Sequence, residues 1–313
     1  MSLKRWRTGT IQLPKLIFGC WPMGGRFWGK IDHTEMKKTI DMAIELGLTA
    51  FDTAPLYGNG EADKWLLKHL GSKKSQVEII TKVGVQSTPH AQSNLRPELI
   101  RADTEQSLRR LKLEQISLLQ IHWPCQHSTP LEDSIAELER LKAQGDIAEY
   151  GLCNYSAKQI EQLPQNHQVQ TLQTPYSMLR REAELGIFQQ CEHQSISVLA
   201  YETLCRGLLS GKYREPFKGE FPDLRLNDPR FCSGRFWKIR EFCDSLERVA
   251  AHIQSPVAAL PLAWALAQPH VKAIIVGIKS RKQLTENISA VELLHRAKLI
   301  SILRQVVDQH APK

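Results

Sequence analysis

No apolar run in this chain is long enough to cross a bilayer. The longest without a charge spans residues 257–267, eleven positions with Pro261 inside, where a spanning helix needs about 20. The opening MSLKRWRTGT carries charge but no apolar stretch of the secretory kind, so no signal peptide is expected. Cysteine is sparse and unpatterned: seven residues, an odd number, with no C-x-x-C. That argues against a disulfide framework and fits a reduced, cytoplasmic protein. Low-complexity segments and linkers are missing too, and residues 1–313 are expected to form a single domain. The net charge is +8, yet Lys and Arg are spread along the chain, with no block of five or six and no interleaved aromatics. A mildly basic enzyme with a taste for anionic ligands is expected, with no nucleic-acid or membrane partner.

What is present is alternation. Short β-rich runs at 16–20, 50–52, 77–82, 118–122, 149–153, 171–174, 197–200 and 273–276 are separated by helical patterns. Those patterns cover 34–46, 61–70, 97–111, 131–144, 157–163, 182–192, 238–267 and 281–290. In 97–111, Leu99, Ile100, Ala102, Leu108 and Leu111 recur near a 3.6 period, and Pro97 suits a first turn. The strands are apolar without clean alternation, as a parallel sheet covered on both faces requires. Eight strand-then-helix units point to an α/β fold, the (β/α)8 TIM barrel. Strand counting alone leaves a doubly wound open sheet as the alternative. A short N-terminal β-hairpin is expected around Thr8-Gly9-Thr10, covering the barrel bottom. A long loop, 202–237, follows strand 7 and has the length of a lid or binding loop.

In a barrel, active-site groups sit at the C-terminal strand ends. Here those ends are polar. Strand 2 ends in Asp52, strand 3 in Lys82 and strand 4 in His122. Tyr57 follows in the loop after strand 2. A carboxylate, an ammonium, an imidazole and a phenol can together do acid–base chemistry on a carbonyl. A free phenol, with a pKa near 10, donates protons poorly at neutral pH. A neighbouring ammonium is expected to lower that value, with Asp52 keeping Lys82 charged and placed. His122 is expected to orient the substrate oxygen or relay the proton.

Other patterns are decoys. YGNGEAD reads G-x-G-x-x-D, but Asp63 stands where a dinucleotide fingerprint needs its third glycine. Gly58 and Gly60 read better as loop glycines that free the chain after Tyr57. His122, Cys125 and His127 have ligand-like spacing without an evident fourth ligand, and no metal is expected. Trp21, Trp28 and Trp123 follow strands 1 and 4 and are candidates for an apolar pocket wall. Phe236, with Trp237, is placed to close that pocket, and Arg26 hints at an anionic substrate.

FDTAPLYGNGE, ITKVG, IHWP, YGLCNYS, LCRGLLSGKY and IIVGIKSRKQLTENISA, in order and across nearly the whole chain, resemble the aldo-keto reductase family. GCWPMGGRFWG, LCRGLLSG and PDLRLNDPRF are similar to its bacterial branch of glycerol-type dehydrogenases and stress-linked reductases. The resemblance implies a (β/α)8 barrel and an NADPH-dependent oxidoreductase acting on aldehydes, ketones or sugars, or on alcohols and polyols in reverse. It implies a catalytic tetrad of Asp52, Tyr57, Lys82 and His122, with Tyr57 as general acid–base. Cys153, Asn154 and Gln173 would face the nicotinamide carboxamide, and Tyr201 would stack on its ring. Thr203, Leu204, Arg206, Gly207, Leu208 and Lys212 would wrap the pyrophosphate. Gly277 leads to Lys279, Ser280 and Arg281, placed for the adenosine 2′-phosphate. Gln283, Glu286 and Asn287 would hold ribose and adenine.

Two positions depart from the family pattern: Cys153 replaces a usual serine, and Glu202 replaces a usual small residue. A carboxylate at 202 would face phosphates unless Arg206 or Lys212 compensates. Partners implied are small molecules, with a monomer or weak oligomer expected. Two alternatives stay open. Related barrels serve as slow or non-catalytic NADPH-binding redox sensors while keeping the tetrad. Alternatively, Lys82 is a Schiff-base nucleophile in a lyase or isomerase.

Overall fold

A computed structural model describes residues 3–25, 27–86, 91–220 and 222–312. Arg26 lies outside the described residues. The chain opens with an antiparallel hairpin, β1 (Arg5–Thr8) and β2 (Ile11–Pro14), turning at Gly9. Then come β3 (Leu16–Gly19), α1 (His33–Glu45), β4 (Ala50–Asp52), α2 (Glu61–Leu70) and β5 (Glu78–Val83). A small ribbon of β6 (Val85–Gln86) and β7 (Gln92–Ser93) precedes α3 (Pro97–Leu111), β8 (Ile116–Ile121), α4 (Leu131–Gln144) and β9 (Ile147–Cys153). The remaining elements are α5 (Ala157–Glu161), β10 (Thr171–Pro175), α6 (Ile187–His193), β11 (Ser197–Tyr201), α7 (Ser233–His252), α8 (Ala259–Leu266), β12 (Val271–Gly277), α9 (Arg281–Leu293) and α10 (Ala297–His310). Among the described residues, no helix is long and apolar enough to cross a membrane.

Eight strands close on themselves in the order β10-β11-β12-β3-β4-β5-β8-β9, every pair parallel. Closure decides for the barrel over the doubly wound sheet. Side chains alternate across each strand. One face packs Phe18, Phe51, Leu119, Leu172 and Ile274 against helix residues such as Ile40, Leu66, Ile100 and Leu138. The other face fills the barrel: Ile17, Ala50, Ile80, Leu118, Leu199, Ala273 and Ile275 form a separate apolar layer. Ile11 and Leu13 of the hairpin pack into that layer and plug the bottom, as expected. Two residues further along the same inner face, Ala50 gives way to Asp52, Ile80 to Lys82, Leu118 to Gln120 and Leu199 to Tyr201. The polar strand ends therefore rest on a dry apolar floor.

Side-chain caps mark several helix starts. Asp32 caps α1 by accepting from the Thr34 and Glu35 amides. Ser156 and Gln159 form a capping box on α5, and Ser280 caps α9. Asp63 is wholly buried, accepting from the Thr53 hydroxyl at 2.6 Å and Arg110 at 2.9 Å. It ties α2 to the barrel and to α3.

The segment expected to be one irregular loop, 202–237, carries short 3₁₀ turns at Leu208–Ser210, Leu224–Asn227 and Pro229–Phe231. Asp223 and Asp228 cap the last two. α7 begins at Ser233, five residues before the expected start, because Cys232 at its N-cap makes no side-chain capping bond to mark it. The helical region expected at 238–267 breaks after His252, where Gln254 takes φ +53°. α10 was not anticipated, although Leu299, Ile300, Leu303 and Val307 supply a buried stripe.

The loop bearing Tyr57 is held by a close backbone approach. Gly58 sits at φ +63°, and a Cβ there would lie 2.4 Å from the Gly24 carbonyl oxygen. A Cβ on Gly24 would lie 2.8 Å from the Gly58 amide nitrogen. Only two glycines let the loops after β3 and β4 touch. Gly58→Ala is expected to lower stability by about 2 kcal/mol, since strain and overlap add. Chemical denaturation checks this, and a change below about 0.5 kcal/mol would show that the contact yields.

Candidate active site

Asp52, Lys82 and Gln173 reach the barrel axis from β4, β5 and β10, above the apolar layer. Lys82 Nζ donates to Asp52 Oδ2 at 2.7 Å and to the Thr53 carbonyl at 3.0 Å. Its side chain is only 1% exposed. Gln173 Nε2 donates to the same Asp52 oxygen at 2.8 Å and to Gln120 Oε1 at 3.1 Å. Gln120 Nε2 in turn donates to Thr171 Oγ1 at 3.1 Å. The buried charges are thus paired and hydrogen-bonded, the condition under which such burial is tolerated.

Tyr57 closes the cluster from above. Its ring lies 5.3 Å from Lys82 Nζ and 6.0 Å, edge to face, from the His122 ring. Trp21 stacks on its other side at 5.6 Å. Burial pushes the Tyr57 phenol well above its usual value, and the Asp52 carboxylate pushes it further. This corrects the expectation that Lys82 lowers it. Desolvation and the Asp52 charge together outweigh the ammonium that Asp52 holds. His122 is driven the other way, well below the usual imidazole value, by burial and then by Lys82. The cluster thus presents a protonated phenol beside a neutral imidazole.

A cavity of about 1230 Å³ opens over these groups. Asp52, Tyr57 and His122 line its floor, with Trp21, Trp28 and Trp123 on the walls. Lys82 lies beneath the floor and is not part of the surface. Asn154, in a left-handed conformation at φ +65°, donates to the His122 carbonyl at 3.0 Å and accepts from Tyr201 Oη at 2.7 Å. Both line the cavity with Gln173. From there it runs along Thr203, Leu204, Arg206, Gly207 and Lys212 to Gly277, Lys279, Ser280, Gln283, Glu286 and Asn287.

Four of the expected contact residues lie off this surface. Cys153 is fully buried beside the cluster, where burial keeps the thiol protonated. Leu208 is packed into the core. Phe236 is a correction to the expected pocket wall: it points from α7 into the core, while Trp237, the next residue on the helix, is half exposed. Successive helical side chains diverge by about 100°, so the two cannot close a pocket together. Arg281 is paired with Glu35 and does not line the cavity.

Glu202 is compensated. It accepts from Arg206 Nε at 3.0 Å, as expected of Arg206, and from Arg180 Nη1 at 3.1 Å, while Lys212 takes no part in these bonds. Lys279 donates to the Trp28 carbonyl, and its pKa falls to about 8 through burial, then the charges of Arg225 and Lys212. Arg180, Arg225 and Lys282 also line the cavity and were not singled out from sequence. Gln120 was missed as well, though its place two residues before His122 on an inward-facing register was a usable signal.

The sequence pattern of the Aldo/keto reductase family matches residues 15–308. The chain is 32% identical over 283 residues to Aldo-keto reductase YhdN of Bacillus subtilis, covering 88% of this chain and 84% of that protein. It is 29% identical over 304 residues to the NADH-specific methylglyoxal reductase of Escherichia coli, covering 91% and 92%. Among solved structures, the glycerol dehydrogenase AKR11B4 from Gluconobacter oxydans superposes with a TM-score of 0.87 at 30% identity, covering 100% and 98%.

Two outcomes check the electrostatics. Lys82→Met alone strands a buried carboxylate and is expected to cost about 3–5 kcal/mol, whereas Lys82→Met with Asp52→Leu recovers at least half of that. Denaturation midpoints compare the two, and an equal loss in both would count against an electrostatic origin. In the protein without added ligand, the phenolate absorbance difference between wild type and Tyr57→Phe is expected to stay flat below pH 10. Titration of Tyr57 near neutrality would show that Lys82 outweighs burial and Asp52.

Proposed function

The chain belongs to the aldo/keto reductase family, and on that premise we propose that it is an oxidoreductase interconverting carbonyls and alcohols with a nicotinamide dinucleotide. The proposed substrates are small or medium aldehydes, ketones or sugars, and alcohols or polyols in reverse. The observation that carries this is the protonated Tyr57 phenol on a cavity floor, facing His122 above the Lys82–Asp52 pair.

The cavity suits a dinucleotide. Its volume exceeds the roughly 300–1,000 Å³ of ordinary small-molecule pockets. The Thr203 hydroxyl on its wall is buried with no partner among the described residues, as a group awaiting a ligand would be. Lys212 and Arg225 bring positive charge to its wall, which suits a pyrophosphate. Asn154, Gln173 and Tyr201 would hold the nicotinamide end, and Ser280, Gln283, Glu286 and Asn287 the adenosine end. The dinucleotide supplies the hydride for carbonyl reduction and accepts it in alcohol oxidation.

The chain's own residues handle the proton. Tyr57 Oη gives its proton to the carbonyl oxygen as the π electrons move onto that oxygen. Solvent then restores the phenol. His122, neutral, offers a ring nitrogen to orient the oxygen. Lys82, held by Asp52, faces the phenolate as charge develops on it, an interaction that strengthens in the transition state. Trp21, Trp28 and Trp123 keep the site dry. The Schiff-base alternative finds no support in the geometry, because Lys82 Nζ is buried, doubly hydrogen-bonded and off the cavity surface. We propose NADPH as the preferred cofactor, supported by Lys279 and Lys282 on the cavity wall.

The test is Tyr57→Phe assayed with NADPH and a panel of aldehydes, ketones, sugars and polyols in both directions. It is expected to lower kcat by about a hundredfold or more while cofactor affinity is nearly kept. Activity within about threefold of wild type, a difference near 0.7 kcal/mol, would remove Tyr57 from the proton-donor role. Tight cofactor binding with negligible turnover of every substrate by the wild type would favour a sensor.

A further inference from the structure

Arg281 opens α9 beside Ser280 and Lys282, both on the cavity wall. Its amide and one edge of its guanidinium are already taken. The Glu35 carboxylate, from the first turn of α1, receives the Arg281 amide at 3.0 Å and Arg281 Nε at 3.2 Å through Oε1. It receives Nη2 at 3.0 Å through Oε2. One backbone N–H and the Nε–Nη2 edge of a guanidinium, at the positive end of a 13-residue helix, form a set of donors that suits an oxyanion. An internal carboxylate occupies that set. These donors keep the Glu35 carboxyl below its ordinary value, so it stays ionised at neutral pH. Glu35 itself is fixed from behind: its amide donates to the Asp32 cap, and its carbonyl accepts from the Thr39 hydroxyl.

We propose that Glu35 is a cofactor-specificity determinant: it occupies the donors of Arg281 that a ribose 2′-phosphate at this end of the cavity would use, and so narrows the preference for NADPH over NADH. The inference rests on the nicotinamide-dinucleotide reading above. Binding of NADPH exchanges one anion for another at Arg281, and the freed Glu35 is left facing the phosphate. Binding of NADH leaves the pair closed. The pair is partly exposed, with Arg281 half accessible and Glu35 about a quarter, so the exchange needs only side-chain rotation.

Dissociation constants for NADPH and NADH, measured by fluorescence on wild type, Glu35→Gln, Glu35→Ala, Arg281→Ala and the Glu35→Gln/Arg281→Ala double variant, test this. In both Glu35 variants the ratio of the NADH to the NADPH constant is expected to rise by about 1.5-fold to fivefold, the scale of one exposed charge pair. The rise is expected to vanish in the Arg281→Ala background and to shrink at high ionic strength. Because the readout is a ratio within one protein, a general loss of stability cancels. An unchanged ratio would overturn the proposal. A lowered ratio would overturn it too, showing that Glu35 instead holds Arg281 in place for the phosphate. If wild type binds neither dinucleotide, the cofactor reading itself fails and this inference falls with it. Wild-type binding with an unmoved ratio sinks the inference alone.

Discussion

The Lys82–Asp52 ion pair is the constraint on which the site depends. Two charges enclosed among apolar strands cost several kcal/mol each in desolvation, and their attraction offsets this only when geometry and hydrogen bonding are complete. Here they are complete: Lys82 has Asp52 and the Thr53 carbonyl, and Asp52 has Gln173, itself joined to Gln120. Strands β4, β5, β8 and β10 each contribute, so only a closed sheet with matching registers can assemble the pair. The hairpin plug and apolar layer beneath it exclude water from below.

The neighbours' protonation states follow from that pair. Burial, and then the Asp52 charge, keep the phenol of Tyr57 protonated despite the nearby ammonium. His122 responds to burial and to the ammonium, and stays neutral. A proton donor and a neutral orienting group arise from one buried pair seen from two directions. Gly24 and Gly58 matter for the same reason: they let the two loops touch and so carry the Tyr57 ring to within reach of the pair.

Away from the floor, several charged groups in and beside the cavity have internal partners. Glu202 is paired with Arg206 and Arg180, Lys279 donates to Trp28, and Arg281 is paired with Glu35. The net charge of +8 is therefore a poor guide to what an anionic ligand meets. The charge at each point depends on which residues the fold has paired, and most of those partners come from distant segments.

That distance divides what the chain order shows from what it hides. Alternating apolar runs and amphipathic stretches were enough to place all eight barrel strands within about two residues, since burial on a parallel sheet imposes its own composition. The polar strand ends Asp52, Lys82 and His122 were legible because an ionisable side chain that closes an apolar run must find a partner where it is buried. Helix α7 was placed late and α10 missed, as neither begins with a side-chain cap, a proline or a glycine. The inward turn of Phe236 and the burial of Cys153 depend on packing, not on local pattern. The partners of Lys279 and Arg281 lie 251 and 246 residues away, beyond the reach of any periodicity. The barrel and the identity of its polar ends were thus written in the order of the residues, because both follow from local burial patterns. Which charges are paired, which proton Tyr57 keeps and which donors are free were settled by the folded chain alone, because those depend on contacts across the closed sheet.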